Sequence, residues 1–344
     1  MHKEPTYSLT DIPFVPLQNV QGRFLISTLF YEQKVWRMWV PAGEKLVEMK
    51  ISGPAEMFYF GSEPASPNDP ELDFLNFIAQ RASFPPVKKA VKGLMDDIFN
   101  LTASVAKIKH LHASRGVLGG GVSRMAVTEV EYLIFVCRGI FDFLQEVVSR
   151  LWEHVSFYDP TQKKKSLKER QKFSEIVVFN DVEATFDQIK ERTAMPDNLV
   201  AWYCRHARFF MSLRAIRDNL IHRGTSVQSI MVREDDFAIR ERLMAFKTFD
   251  VWLDEEKGVN GIVPLMPALA MIINNTLAAC EDLILTMRSC IQFPDELVPS
   301  MRLYMRSYFN DVFMEVLTDF NKRLQKLSKR PGTVVTGRVA QFTP

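Results

Sequence analysis

Prolines divide this chain of 344 residues into two unequal parts. Eight of its eighteen prolines lie in the first 70 residues, together with aromatic and β-branched runs at residues 23–30 and 35–40. A helix interior tolerates proline poorly, whereas short strands and turns accept it. We therefore predict a small β-rich or irregular N-terminal module over residues 1–70.

Helical periodicity dominates from Glu71 onward. Apolar residues recur at three- and four-residue spacing in seven segments, residues 71–82, 87–113, 130–157, 167–192, 198–223, 266–291 and 301–327. Helices of roughly 25 residues pack well as a long antiparallel bundle, so we expect a mainly α fold with a helical domain over residues 71–330. The pattern at residues 227–253 favours a short β insertion, and residues 331–344 are predicted to be a flexible tail.

Composition limits the classes of function. Lysine and arginine total 43 and aspartate and glutamate 41, so the net charge is +2. This balance excludes a protein that coats nucleic acid by charge alone. The four cysteines form no CxxC pair, and we expect neither a metal nor another cofactor. Because no secretory signal and no apolar run of about 18 residues is found, we expect a cytoplasmic protein with no membrane partner.

The predicted helix over residues 198–223 has apolar residues on two faces. At about 100° per residue, one face consists of Trp202, Phe209, Leu213, Ile216 and Leu220, and the other of Val200, Tyr203, Ala207, Phe210 and Met211. A helix that faces solvent has no use for a second apolar face. We therefore expect another helix, or a second copy of the chain, to cover it.

Charged residues follow the second face toward the end of this helix: Arg214, Asp218 and His222, with Arg217 at the edge. Arginine is a permanent planar cation that suits a phosphate, and histidine exchanges a proton near neutral pH. Asp218 lies one turn before His222 and can hold its ring. The set suits metal-free cleavage of RNA, with His222 as general acid or base and Arg217 stabilising the charge of the transition state.

The hexapeptide Arg217-Asp218-Asn219-Leu220-Ile221-His222 resembles the R-x4-6-H motif of the HEPN (higher eukaryotes and prokaryotes nucleotide-binding) superfamily. Arg217 and His222 take the two motif positions, Asp218 the polar position after the arginine, and Asn219 the variable interior; these four are the candidate catalytic residues. Many members end the motif in His-x-Tyr, whereas this chain has Gly224 there, so regulation through that tyrosine is not expected.

The resemblance implies an all-α fold, metal-independent endoribonuclease activity and a homodimer that joins two motif helices, here residues 198–223, in one cleft. Family members often act as toxins or antiviral effectors. An antitoxin or another regulatory partner is compatible with that role.

Residues 162–172 concentrate six basic residues in eleven positions. Lys163, Lys164 and Lys165, together with Arg214, are the candidate substrate-binding residues, because lysines can bind an RNA backbone. No aromatic residue follows in this segment before Phe173, so the stacking pattern of a single-strand platform is missing. A solvated helix start explains the same lysines equally well.

Two other interpretations of the motif helix stay open. Asp218 and His222 can form an ordinary i,i+4 pair near a helix end, and the Arg/Asp/His cluster is then structural. In that case the chain is a non-catalytic helical interaction protein or an RNA-binding protein that does not cut.

Overall fold

The computed structural model describes residues 6–8, 10–168, 171–222, 230–241, 246 and 250–328. Its helices are α1 (Asp73–Phe77), α2 (Lys88–Ala113), α3 (Arg115–Leu118), α4 (Val122–Leu151), α5 (Phe173–Val177), α6 (Phe186–Thr193), α7 (Asp197–His222), α8 (Met266–Cys290) and α9 (Asn310–Leu327). Its strands are β1 (Thr6–Ser8), β2 (Leu29–Glu32), β3 (Val35–Ala42), β4 (Lys45–Lys50), β5 (Met57–Gly61), β6 (Ser156–Phe157), β7 (Val178–Phe179), β8 (Val182–Glu183), β9 (Met231–Val232), β10 (Phe237–Arg240), β11 (Ile262–Pro264), β12 (Ile291–Gln292) and β13 (Arg302–Arg306).

A six-stranded sheet combines strands from distant parts of the chain. Its order is β1-β4-β3-β2-β5-β13, and β2 and β5 are its parallel pair. β13 is antiparallel to β5, with Leu303 opposite Phe60 and Met305 opposite Phe58. The prediction of a mainly α bundle with a small β-rich N-terminal module is therefore wrong. The chain has a mixed helix and multi-sheet fold, with 55% helix and 16% strand.

One face of the six-stranded sheet packs against the helices. Phe58 of β5 contacts Phe99 of α2 with 4.9 Å between the ring centroids. Phe30 and Phe60 belong to the same buried core as apolar residues of α2, α4, α7 and α8. Alternate residues of each strand point to one side of a sheet, so these strands present a continuous apolar face to the helices.

Three of the predicted helices differ from the structure. The segment 130–157 corresponds to α4, which begins eight residues earlier and ends at Leu151, before β6. In the segment 301–327, the alternating residues 302–306 form β13, and α9 begins only at Asn310. The segment 167–192 is interrupted by the β7–β8 hairpin, whose tip residues Asn180 and Asp181 have φ of 50° and 62°. Asparagine and aspartate tolerate this left-handed conformation. Periodicity alone could not identify either break, because each apolar run also fits a helix.

The smaller sheets lie between the helices. β9 and β10 fall in the predicted β insertion, and β11 completes a three-stranded antiparallel sheet with them. Residues 227–229, 242–245 and 247–249 of that insertion, and the predicted tail over residues 331–344, lie outside the described residues.

α8 is long and apolar enough to cross a membrane by length and composition, with a mean hydropathy of 1.4 in its most apolar window. Of that window, 72% is buried inside the fold. The helix packs against α1, α4, α7 and α9. The core helix of a soluble protein passes the same test of length and composition.

Candidate functional site

Both apolar faces of α7 are buried within one chain. Trp202 and Leu213 on one face, and Tyr203 and Phe210 on the other, have no accessible surface. The covering elements are α4 and α8 along the helix, with α5 and α6 against it as well. The expectation of a covered second face is confirmed, and helices of the same chain provide the cover.

Phe173 of α5 is the centre of this packing. Its ring contacts Trp202 edge-on at 5.6 Å between centroids and Phe210 at 4.8 Å. The indole Nε1 of Trp202 donates a hydrogen bond of 3.1 Å to the carbonyl oxygen of Ala279 in α8. Because buried aromatic residues and buried hydrogen bonds to both α8 and α4 fix α7, the direction of its last turns is set by the core.

Arg214, Arg217 and Asp218 form a charged cluster near the end of α7. Asp218 Oδ1 lies 3.3 Å from Arg217 Nη1, and Asp218 Oδ2 lies 3.4 Å from Arg214 Nε. The side chains are 33%, 39% and 37% exposed for Arg214, Arg217 and Asp218, so solvent reaches all three. Two guanidinium groups and one carboxylate leave a local charge of +1. Among the described residues, Asp218 occupies one donor nitrogen of Arg217, which leaves the other donors able to bind an anion.

A third guanidinium, which the sequence did not single out, contacts α7 one turn before this cluster begins. Arg138 of α4 pairs with Asp142 and lies over the ring of Phe210, 5.1 Å from its centroid. Phe210 is one turn before Arg214 on α7. Because Asp142 balances its charge, Arg138 contributes a cation–π contact with α7 rather than net positive charge, and only the packing of α4 on α7 reveals it.

His222 is the last residue of α7, and Asn219 lies in its last turn. The side chains of both residues lie outside the described part of the chain. The backbone of α7 places His222 one turn beyond Asp218, as the spacing predicted. The assignment of His222 and Asn219 as catalytic residues stays a prediction.

Lys163, Lys164 and Lys165 are exposed but lie near the other end of α7. Gln162 Nε2 donates a hydrogen bond of 2.9 Å to the carbonyl oxygen of Ala194, just before α7 begins at Asp197. Arg217 follows Asp197 by twenty residues, or about 30 Å along the helix. Within one chain the structure does not bring these lysines together with Arg214 and Arg217.

A second polar cluster on α7, also missed in the sequence, joins it to α8. His206 Nε2 and Arg205 Nη2 each lie 2.9 Å from Oδ2 of Asp282. Burial alone would raise the pKa of Asp282, but the hydrogen bonds from His206 and Arg205 outweigh it and hold the pKa below its usual value. This cluster stabilises the packing of α7 on α8, four residues before Phe210.

The cluster of Arg214, Arg217 and Asp218 can bind a phosphate, and proton exchange there would need His222, whose backbone lies one turn beyond Asp218. Among the residues that the structure describes, no group of three or more histidine, cysteine, aspartate or glutamate side chains is placed to hold a metal ion. In comparisons with known proteins, no family model, curated protein or solved structure matches this chain.

Proposed function

We propose that this protein is a metal-independent endoribonuclease of the HEPN type. The observation that supports it is the placement of Arg217. Its guanidinium is half-exposed, is oriented by Asp218 and, within the part of the chain that the structure describes, keeps donors without a partner at the end of a helix that is otherwise held in the core. A buried and fully paired arginine would have no donor left for a phosphate.

The proposed reaction uses the RNA itself as the nucleophile. The 2′-oxygen forms a bond to the adjacent phosphorus, and the bond from phosphorus to the 5′-oxygen breaks. The 2′-hydroxyl loses its proton and the leaving 5′-oxygen gains one; His222 carries out one of these two transfers and solvent water the other. Arg217 stabilises the negative charge of the transition state. The products carry a 2′,3′-cyclic phosphate and a 5′-hydroxyl.

The test is the incubation of end-labelled single-stranded RNA with the full chain in EDTA. We expect the wild-type protein to release cyclic-phosphate products, and Arg217→Ala and His222→Ala to lower the rate about 100-fold or more. Arg208→Ala is the matched arginine control, since its side chain is 88% exposed on the same helix. His110→Ala is the histidine control, because that residue is exposed on α2. Wild-type rates in Arg217→Ala or His222→Ala would exclude the mechanism.

The same experiment decides between the enzyme and the alternative. Arg214 and Arg217 share Asp218, which also suits a structural ion-pair network on the surface of an interaction protein. Such a protein binds RNA or a partner without releasing cyclic-phosphate ends. A wild-type protein that does not cut any single-stranded RNA would favour this alternative.

Homodimerisation through α7 is part of the proposal. Since α4 and α8 already cover the apolar faces of α7, a second copy would contact its half-exposed end near Arg214 and Asp218. Sedimentation velocity of the full chain tests the dimer, and Arg214→Glu is expected to shift it toward monomer. A toxin or antiviral role in the cytoplasm predicts that induced expression arrests bacterial growth and that Arg217→Ala relieves the arrest.

A further inference from the structure

Phe84 and His154 bring two lysine-rich segments together on one surface. Their rings stack with 5.4 Å between centroids and 11° between planes. Phe84 precedes α2, whose exposed side begins with Lys88, Lys89 and Lys92. His154 precedes residues 163–165, which we call the lysine loop.

Two hydrogen bonds hold the lysine loop beside this stacked pair. Trp152 Nε1 donates to the carbonyl oxygen of Lys165 at 2.9 Å. Lys164 Nζ donates to the carbonyl oxygen of Val155 at 3.0 Å. Trp152 and Val155 flank His154, so these bonds hold the lysine loop on the His154 side of the stacked pair. The start of α2 follows Phe84 on the other side.

The lysines of this surface are available to an anion. Lys88, Lys89 and Lys92, together with the lysine loop, are exposed, and none of them pairs with a carboxylate among the described residues. Glu153 is the acidic residue beside His154, and its carboxylate accepts a hydrogen bond from Ser166 at 3.4 Å. Asp96, one turn after Lys92 on α2, and Asp159, beside Tyr158, are also exposed. Six lysines against three carboxylates leave the surface with an excess of positive charge.

The fold also supplies the aromatic rings that the lysine segment lacks in sequence. His154 is exposed, and the stacking of Phe84 holds the imidazole plane in place. Tyr158, which is 58% exposed, lies between His154 and the lysine loop in the chain. Aromatic rings interleaved with cations are typical of surfaces that bind single-stranded nucleic acid, because unpaired bases stack and phosphates pair with lysines.

We propose that this surface, formed by Lys88, Lys89, Lys92, the lysine loop, His154 and Tyr158, docks single-stranded RNA. That this RNA is the substrate rests on the proposed endoribonuclease function, whereas RNA binding by the surface does not require cleavage. The surface lies near the start of α7, about 30 Å from Arg217. A strand that keeps its bases stacked advances about 3.4 Å per nucleotide, so a stacked strand that spans both needs about nine nucleotides. The substrate class is therefore single-stranded RNA longer than that.

The binding test uses a fluorescein-labelled, unstructured 20-nucleotide RNA, with EDTA, at pH 8 and several KCl concentrations. The full chain carries His222→Ala so that cleavage does not interfere. We expect the added substitutions Lys89→Gln, Lys92→Gln, Lys163→Gln and Lys165→Gln to weaken binding at least about tenfold and to reduce the slope of log Kd against log[KCl] by about 3.

The matched control removes four exposed lysines from other surfaces through Lys45→Gln, Lys50→Gln, Lys322→Gln and Lys326→Gln. It removes the same charge and is expected to leave the affinity within about twofold and the slope unchanged. Equal losses in the two four-lysine variants would overturn the docking surface, because the binding would then follow net charge alone.

The stacking part has its own readout. His154→Ala combined with Tyr158→Ala is expected to weaken single-stranded RNA binding about five- to tenfold, with the salt slope and the affinity for duplex RNA unchanged. Equal losses for single strands and duplexes would overturn the stacking role. In cleavage, the four lysine substitutions in a chain that retains His222 should raise KM for a 20-nucleotide RNA but not for a 4-nucleotide RNA, and an unchanged KM for both would overturn the proposal. A wild-type protein that binds through this surface but never cuts would reject only the proposed function.

Discussion

Tyr203 of α7 donates a hydrogen bond of 2.6 Å to Oε1 of Gln145 in α4, and both side chains are fully buried. Gln145 Nε2 in turn donates to the hydroxyl of Ser149 at 3.0 Å. This buried polar chain sits among aromatic residues and fixes the rotation of α7 against α4. The direction in which Arg217 leaves the core, three to four turns later, depends on that rotation.

Tyr203→Phe is expected to destabilise the protein by about 1–3 kcal/mol, because the side-chain oxygen of Gln145 loses its partner in the core. Urea unfolding of the full chain measures the change. Combining Tyr203→Phe with Gln145→Leu should recover about half of the loss, since the unpaired oxygen of Gln145 is removed while the Ser149 hydroxyl loses its donor. A single variant as stable as the wild type would contradict the structural role of this bond.

The sequence predicted α7 well because its pattern leaves little choice. Its 26 helical residues agree with the predicted 198–223 within one residue, and its two apolar faces are both buried. Long helices with a strong 3.6-residue period are determined locally. The same 3.6-residue period also predicted that Arg217 and Asp218 lie together at the end of this helix.

What the sequence did not predict depends on contacts between distant residues. Residues 302–306 form a strand because β5, about 240 residues earlier, offers an edge for them, and the five residues alone fit either a strand or a helix. Similarly, Arg138 reaches the ring of Phe210 only through the packing of α4 on α7, and His154 meets Phe84 across 70 residues. Periodicity within one segment contains no information about such partners.

Asp218→Asn tests whether the carboxylate orients Arg217. We expect kcat for RNA cleavage to fall about tenfold with KM nearly unchanged, because two guanidinium groups lose their shared anion while both cations remain. Steady-state kinetics on a labelled oligonucleotide measures both constants. Asp319→Asn, which breaks an exposed pair with Lys322 on α9, is the control and should leave kcat unchanged. Equal kcat in the wild type and Asp218→Asn would show that Asp218 does not orient Arg217 for the reaction.

Gly93 lets α2 and α4 approach closely. A Cβ at this position would lie 2.4 Å from the ring of Phe143, so Gly93→Ala forces the ring or the helix to move. We expect a loss of about 1–3 kcal/mol in the free energy of unfolding, despite the better helix propensity of alanine.

Gly139 of α4 is the matched control. There the nearest atom to a Cβ is Asp97 Oδ2 at 3.4 Å, which is ordinary contact, so Gly139→Ala should stabilise the protein by up to about 1 kcal/mol. Thermal unfolding of the two variants side by side measures the difference. Gly93→Ala melting at or above Gly139→Ala would contradict the close approach.

Glu281 and Asp282 are neighbours on α8, and the fold shifts the pKa values of their carboxyl groups in opposite directions. Burial, and then the nearby charge of Asp73, raise the pKa of Glu281 from 4.5 to about 8. The folded protein keeps this proton up to about pH 8, whereas the unfolded chain releases it near pH 4.5, so stability falls as the pH rises between these values. Glu281→Gln should remove that fall and raise the free energy of unfolding at pH 8.5 by about 2 kcal/mol, with little change at pH 4.5.

Asp282→Asn should show the reverse dependence. The pKa of Asp282 is lowered in the fold: burial opposes the charged form, but hydrogen bonds from His206 and Arg205 outweigh it. The ionised carboxylate therefore stabilises the protein above the usual pKa of 3.8, and this contribution is lost as the pH falls through the lower folded value. We expect Asp282→Asn to cost about 1 kcal/mol at pH 7 and progressively less below pH 4. Urea unfolding from pH 3 to pH 9 measures both variants, and a pH dependence of the same sign in both would show that one of the two environments is described wrongly.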